Sequence, residues 1–481
     1  MAKKETNQVV QNIHRNSEAQ AELNITTEYN KNITEFFSGE YKEWAKSVVE
    51  ERALPSVIDG FKPTARKVVH AANVGSLKDG KLYKLLALSG DSMKLSLYSH
   101  GDQSLNQVII NLCKSFNDNF NPLESDSQVG TLRDPDSAGS PRYLYVKQSP
   151  WMSNIYKTDY NLLNFVFEEG QYVEPEYYLP IIPTVLCKNN IGVAVGYAMH
   201  NISYNPLNII DACIEYLNTS DINKTIVKPF IRHIKNSNWK LNSDGKWMNY
   251  GEWSYNIKRD KMSVTDLPYD MTYDCFEKLL NKMQEKCIIK SWTNLSTGET
   301  LDYEITFNKG DLKKMFLKDK DGVQLATKMK LIKQVPDDLL WLLDENKKLS
   351  YFNTIYSVIK YFVKFRLGIY EQRKERTTKY LEEKYKENSD LVKFIELVAS
   401  EQLNLRNRPK ADIKKDMEKY NLPIVLINTP MSKLTKEEQE SLLKENQSIK
   451  EELEYIKNTT EKEMYINDLK DLKSKIKNEF K

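Results

Sequence analysis

Cysteine and histidine are scarce in this 481-residue chain, which has five of each. Cys113, Cys187, Cys213, Cys275 and Cys287 lie far apart, with no Cys-x-x-Cys and no nearby histidine pair. That pattern argues against structural zinc and a disulfide framework alike, and it predicts a reducing, cytoplasmic location. Long apolar runs are also missing. From Met1 the chain stays polar for more than twenty residues, so neither a signal peptide nor a membrane span is expected. No charge of one sign dominates: 70 Lys and Arg against 67 Asp and Glu leave +3. Any binding of a polyanion must therefore rest on local clusters of base. Neither an Asp-x-Asp-x-Asp string nor an ATP-binding glycine motif is present. Gly75-Ser76-Leu77-Lys78-Asp79-Gly80-Lys81-Leu82 keeps the glycine and lysine spacing of a phosphate-binding loop, but Leu82 stands where a hydroxyl must meet magnesium. A turn that presents Lys78, Lys81 and Lys84 to phosphates is the better reading. Asp134-Pro135-Asp136 is the nearest acidic candidate for magnesium, which favours clustered carboxylates, and no metal ligand is assigned.

The 40% hydrophobic and 28% charged composition supports about three domains with cores of their own. Residues 1–28, rich in Asn, Gln and Glu, predict a flexible N-terminal arm. Over 29–165, short helical patterns alternate with Gly-marked turns. Tyr41 to Val49 and Pro63 to Ala72 read as helices, as does Gln103 to Phe116 with Leu105, Val108, Ile109 and Leu112 on one face. Residues 166–345 switch to mixed strand and helix and carry Trp239, Trp247, Trp253 and Trp292. Over 346–481 Lys and Glu dominate, and Leu442, Asn446, Ile449, Leu453 and Ile456 alternate spacings of four and three. That is a heptad seam with one polar position, where a buried Asn can fix register. Tyr465, Leu469, Leu472 and Ile476 extend it. The plain alternative is a solvated charged helix packed on its own domain.

The most informative residues are Ala138-Gly139-Ser140-Pro141-Arg142-Tyr143. A phenol with a pKa of about 10 is a poor nucleophile, yet its aryl oxygen leaves well, so a phosphotyrosine diester can form and reverse without outside energy. A neighbouring guanidinium favours the phenolate and stabilises charge building on phosphate. Upstream, Arg52-Ala53-Leu54-Pro55 is followed by Asp59-Gly60, Lys62-Pro63 and Arg66-Lys67, and then by Ser99-His100-Gly101-Asp102.

In that order, these motifs resemble the breakage-reunion subunit of type IIA DNA topoisomerases, on the eukaryotic and T-even-like phage side of the family. The resemblance runs from about residue 30 to the C-terminus. It implies an α+β multidomain fold: a winged-helix DNA-binding domain carrying the tyrosine over 29–165, a mixed α/β tower domain over 166–345, and a long antiparallel coiled-coil arm with a dimer gate over 346–481. The arm is expected to be built from roughly 360–395 and 436–478. The implied activity is transient double-strand breakage and resealing of duplex DNA, with Tyr143 as nucleophile and Arg142 assisting it. Arg66, Lys84 and His100 are expected near the scissile phosphate, and Lys62, Lys67, Lys78 and Lys81 on the DNA backbone. Ser99 stands where the family often has a second histidine.

Asn189 to Gly196 resembles the family turn whose isoleucine wedges between base pairs, a step that costs stacking and is offset by contacts to bent DNA. The alignment puts Val193 in the wedge position, with Ile191 as the alternative or sharing the task. Magnesium and ATP are both expected on a separate partner subunit, with this chain a homodimer inside a hetero-oligomer acting in the host cytoplasm. The lack of a wrapping domain after the coiled coil points to relaxation rather than negative supercoiling. A tyrosine recombinase is disfavoured, since no histidine here is followed by Arg at the third position. The alternative from another class is a non-catalytic DNA-binding coiled-coil architectural protein.

Overall fold

The computed structural model describes residues 32–297, 300–318, 321–336, 340–400, 402–403, 408–428, 430 and 436–480. The expected N-terminal arm, residues 1–28, lies outside them. The chain enters through two short helices, α1 (Ile33–Ser38) and α2 (Glu40–Val48), the latter running into a π-helical turn over Val49–Ala53. Three helices follow: α3 (Pro63–Val74), α4 (Leu85–Leu95) and α5 (Asp102–Leu112). Pro63 opens α3 because its missing N–H costs nothing in a first turn. Interleaved with them is a small antiparallel sheet of β1 (Tyr83–Lys84), β2 (Leu123–Glu124) and β3 (Tyr145–Gln148), with β3 central. Two hairpins come next, β4 (Phe165–Glu168) with β5 (Gln171–Pro175) and β6 (Asn190–Val193) with β7 (Ala198–Asn201), and then helix α6 (Pro206–Thr219).

Beyond α6, β8 (Trp239–Leu241) and β9 (Trp247–Tyr250) lead into the antiparallel strands β10 (Glu252–Asn256), β11 (Lys261–Asp266), β12 (Ser291–Asn294) and β13 (Tyr303–Thr306), in the order β10-β11-β13-β12. Helix α7 (Tyr273–Glu285) sits between β11 and β12 in sequence. Met262 and Val264 of β11, Phe276 and Leu280 of α7, and Tyr303 and Ile305 of β13 form a second core of their own, separate from the main one. Strand β14 (Ile332–Gln334) pairs back onto β9, and a last hairpin joins β15 (Trp341–Leu343) to β16 (Leu349–Tyr351).

Helix α8 (Ile355–Ala399) starts at a capping box of Thr354 and Ser357 and runs for 45 residues, roughly 68 Å at about 1.5 Å per residue. Its first turns, from Ile355 to Tyr370, belong to the main core. Farther out it packs antiparallel on α9 (Lys436–Asn458): Leu381 meets Ile449 and Ile456, and Val392 and Ile395 meet Leu442. Asn446, at the polar position of the seam, is buried and donates to Ser389 Oγ at 3.1 Å. Lys384–Glu445 and Lys457–Glu382 flank the seam. At the far end Phe394, Leu403, Ile413, Met417 and Leu422 make a small head.

The second half of the expected seam is placed differently. The helix breaks at Thr459 and restarts as α10 (Glu461–Ile476) under a capping box of Thr460 and Glu463. Tyr465, Leu469, Leu472 and Ile476 are buried in the main core, where α10 packs on α6 and the root of α8, so they do not extend the paired-helix arm. The heptad spacing is the same in both stretches; the neighbour that covers it differs. Phe480 then seals the main core against Phe120, Trp151 and Phe230.

Candidate active site

Tyr143 ends a tight turn over Pro141–Tyr143, its own N–H donating to Ser140 O at 2.9 Å. The next residue, Leu144, is buried, and its carbonyl accepts the first N–H of α4, from Leu85, at 2.9 Å. This pins the turn to the helix and leaves the tyrosine side chain 70% exposed. The Arg142 guanidinium lies 5.5 Å from the centroid of the Tyr143 ring, and its Nε donates to Ser140 Oγ at 3.4 Å. An exposed phenol with a cation at its ring is free to meet a large anionic substrate. Lys84 is exposed on β1 and pairs with Tyr145, two residues beyond the tyrosine, so it stands on the strand beside the end of the tyrosine turn. Lys81 is exposed just before β1. The Lys78 side chain lies outside the described residues. Ser76 donates its N–H and hydroxyl to Asp91, so the turn after α3 is closed by protein groups.

A second group of the expected residues lines a cleft of about 600 Å³ between α2, α5 and the β6 strand. His100, exposed beside the start of α5, meets Tyr98 edge-on at 5.5 Å. Lys62 donates to Ile191 O at 3.1 Å, and burial lowers its pKa from the usual lysine range. Ile191 and Val193 are both exposed, at 60% and 75%, on the same face of β6 because strand side chains alternate. Gly192 between them is buried, and a Cβ there would stand 2.5 Å from Ala53 O. The hairpin can therefore sit on the Arg52-Ala53-Leu54 segment only with glycine at this position. Arg52 also lines the cleft, exposed at its mouth, and was not singled out from the sequence as a contact residue. Its place in the Arg-Ala-Leu-Pro motif was the signal available. At the cleft floor Lys188 and Asp118 form a buried pair at 3.5 Å, with Lys188 Nζ 3.3 Å from the Phe61 ring centroid. Burial raises the Asp118 pKa and lowers that of Lys188. Tyr143 is not among the residues lining this cleft.

Two of the expected phosphate contacts are engaged by protein groups in this structure. Arg66 is buried, with Nε donating to Asp59 Oδ2 at 2.8 Å and Nη2 to Asp59 Oδ1 at 3.0 Å. Asp59 in turn accepts the N–H groups of Phe61 and Tyr178. This fork fixes the Asp-Gly turn, with Nη2 also donating to Phe61 O at 3.3 Å. Lys67 is likewise engaged, donating to Ser96 O at 2.7 Å and to Glu174 at 3.0 Å. The residues that pair with these bases are distant in sequence or lie in the preceding turn, so spacing alone does not reveal them.

Among the described residues no group of three or more His, Cys, Asp or Glu is placed to hold a metal ion, and no helix is long and apolar enough to cross a membrane. The family model for the A-type subunit of DNA gyrase/topoisomerase IV matches residues 52–472. The chain belongs to this family.

Among curated proteins, the mitochondrial DNA topoisomerase 2 of Dictyostelium discoideum is 28% identical, over 89% of this chain and 34% of that protein. The chain thus spans about a third of that relative. The DNA topoisomerase medium subunit of Enterobacteria phage T4 is 26% identical over 92% of this chain and 99% of its own length. The solved DNA-binding, cleavage and re-ligation domain of Plasmodium falciparum topoisomerase II superposes with a TM-score of 0.78 at 25% identity, covering 92% of this chain and 64% of that one.

Proposed function

We propose that the chain is the DNA-cleaving and resealing subunit of an ATP-dependent type II topoisomerase, working as a homodimer with a separate subunit that binds ATP and magnesium. One observation carries this reading: an exposed tyrosine, stacked by its own arginine, held at a fixed turn between two elements of a small helix-and-sheet unit. In the reaction, the Tyr143 phenol gives up its proton as its oxygen bonds to the scissile phosphorus. The bond from phosphorus to one deoxyribose oxygen breaks, and that oxygen leaves as a hydroxyl after taking up a proton. The reverse attack by the hydroxyl restores the DNA and frees the tyrosine. No energy is consumed, since one phosphodiester replaces another.

On this reading Arg142 favours the phenolate, and Lys84 and Lys81 hold backbone phosphates beside it. His100, with Lys62 and Arg52 along the cleft, stabilises charge on the phosphate oxygens. The helices α3 to α5 with β1 to β3 serve as a winged-helix module, and the second core is the tower. Val193 and Ile191 supply the wedge that bends the duplex. The head carried on α8 and α9 serves as the dimer gate. Magnesium held by the partner subunit would supply Lewis-acid stabilisation of the phosphate, and no residue of this chain is assigned to hold it. The exposed nucleophile favours this over a purely architectural DNA-binding role, which has no use for it.

The test is Tyr143→Phe, which removes only the attacking oxygen. With the partner subunit and magnesium present, denaturant should trap DNA covalently on the wild-type chain and none on the variant, while duplex binding stays unchanged. A variant that still becomes linked would refute the assignment.

A further inference from the structure

The loop from Gln128 to Gly139 delivers the chain to Tyr143, and it is closed on itself. Gly139 N–H donates to Gln128 O and Thr131 N–H to Asp134 O, each at 2.9 Å. Gly130 has φ +95°, with Pro135 O only 2.6 Å from where a Cβ would stand. Lys114 Nζ holds the same Pro135 carbonyl at 2.9 Å. From this loop Arg133 reaches into the second core. Its Nη1 donates to Pro268 O at 2.6 Å and Met271 O at 3.2 Å, and its Nη2 to Asp266 Oδ1 at 2.6 Å and to Leu267 O. Tyr273 N–H returns a bond to Arg133 O at 3.0 Å.

The Arg133 side chain is 11% exposed. Its acceptors lie on the segment that links β11, in the middle of the four-stranded sheet, to α7, which packs over it. Leu267 and Met271 of that segment are buried in the second core. A planar guanidinium with five donors can hold several acceptors arranged this way; an ammonium cannot match that fork.

Resting on the activity proposed above, we infer that Arg133 is a positioning residue for Tyr143: it fixes the tyrosine loop to the second core, so the phenol's approach to phosphorus follows the position of that core. The path is short. Arg133 fixes the closed loop, the loop ends at Gly139, and the next residue, Ser140, accepts the N–H of Tyr143. The tower that would shift as DNA bends is thereby tied to the nucleophile, and a displacement of about 1 Å at a reacting group can cost on the order of 100-fold in rate.

The test uses the full chain assembled with its partner subunit and magnesium, following covalent adduct formation on a duplex in a single turnover. Arg133→Gln should lower the rate constant about 10- to 100-fold, with DNA affinity within about twofold of wild type and the final adduct yield preserved. Arg133→Lys, which keeps the charge and loses the fork, should fall between the two. Asp266→Asn should slow the step as well, and adding it to Arg133→Gln should cost nothing further, as expected for one shared contact. A variant whose adduct yield drops with its folded fraction while the rate constant stays at the wild-type value would mark the contact as merely structural and overturn the inference. Wild-type rates in both Arg133 variants would overturn it too. If wild type itself forms no adduct, the activity falls and this inference with it, whereas an active wild type with unaffected variants removes the inference alone.

Discussion

Arg66 shows how far a motif carries and where it stops. The run from Asp59 to Lys67 is one of the ordered motifs that carry the family resemblance, but which bases face outward depends on carboxylates the sequence does not pair with them. Asp59 lies seven positions before Arg66 and is fully buried beneath it. Arg66→Met strands that carboxylate and should destabilise the fold by about 3–5 kcal/mol, as a shifted urea midpoint. The exposed turn that carries Arg142 and Tyr143 was legible, because Gly139, Ser140 and Pro141 announce one. His70 was not. It is buried with Nδ1 unpartnered, edge-on to Phe165, and burial followed by the nearby Lys67 charge holds its pKa down to about 4. The unfolded chain takes up this proton as pH falls below about 6.5 and the folded chain only near 4, so His70 costs stability progressively over that interval. His70→Phe should flatten that part of the stability-versus-pH curve measured by denaturant melts between pH 4 and 7.5.

Helix pairing was more legible than helix placement. The seam of Leu442, Ile449 and Ile456 is a local pattern that any apolar stripe on a neighbouring helix satisfies, and α8 supplies one. Truncating either Leu442 or Ile449 to Ala should cost about 2–5 kcal/mol of arm stability if the site cannot collapse. Asn446 behaves differently: one amide bond reaches Ser389, but its Oδ1 is buried without a partner. Asn446→Leu should therefore raise the melting temperature of the arm while loosening its register, visible as altered disulfide crosslinking between cysteines placed across the pair. The same spacing in α10 lands on the body because α6 and Ile181 are there to receive it; Tyr465 donates to Ile181 O at 2.8 Å. Periodicity gives a buried face, and only the assembled chain names its partner. Phe480 had no pattern at all. Its ring is fully buried, and Phe480→Ala should cost about 3–5 kcal/mol, seen as lower thermal stability of the whole body.

For the intact molecule, two solution experiments test the proposed division of labour and the dimer. The purified chain should bind duplex DNA and leave it essentially uncut in magnesium; robust cleavage without any partner would reveal a metal site on this chain. Deleting residues 395–435 and rejoining the helices by a short linker should weaken the dimer in sedimentation and abolish strand passage. Part of that segment, 401, 404–407, 429 and 431–435, lies outside the described residues. In the part that is described, Val425 is 77% exposed, and Val425→Asp should give the same loss of dimer without touching the helices.

The arm stands on two legs of unequal construction. Helix α8 passes unbroken from the body toward the head, its root held by Arg366 on Asp159 and by Arg373 and Tyr370 on Asp468. The returning leg is jointed at Thr459 and Thr460, each with its hydroxyl engaged in a cap or back to Tyr455. With a joint in only one of two struts, bending should concentrate at the level of that joint, and the head is expected to travel along an arc while the spacing of the legs above it is kept. Replacing Thr459 and Thr460 with alanine would splice the legs into two continuous rods. Spin labels on the two heads of a dimer should then report a narrower spread of distances, the signature of a lever that has lost its elbow.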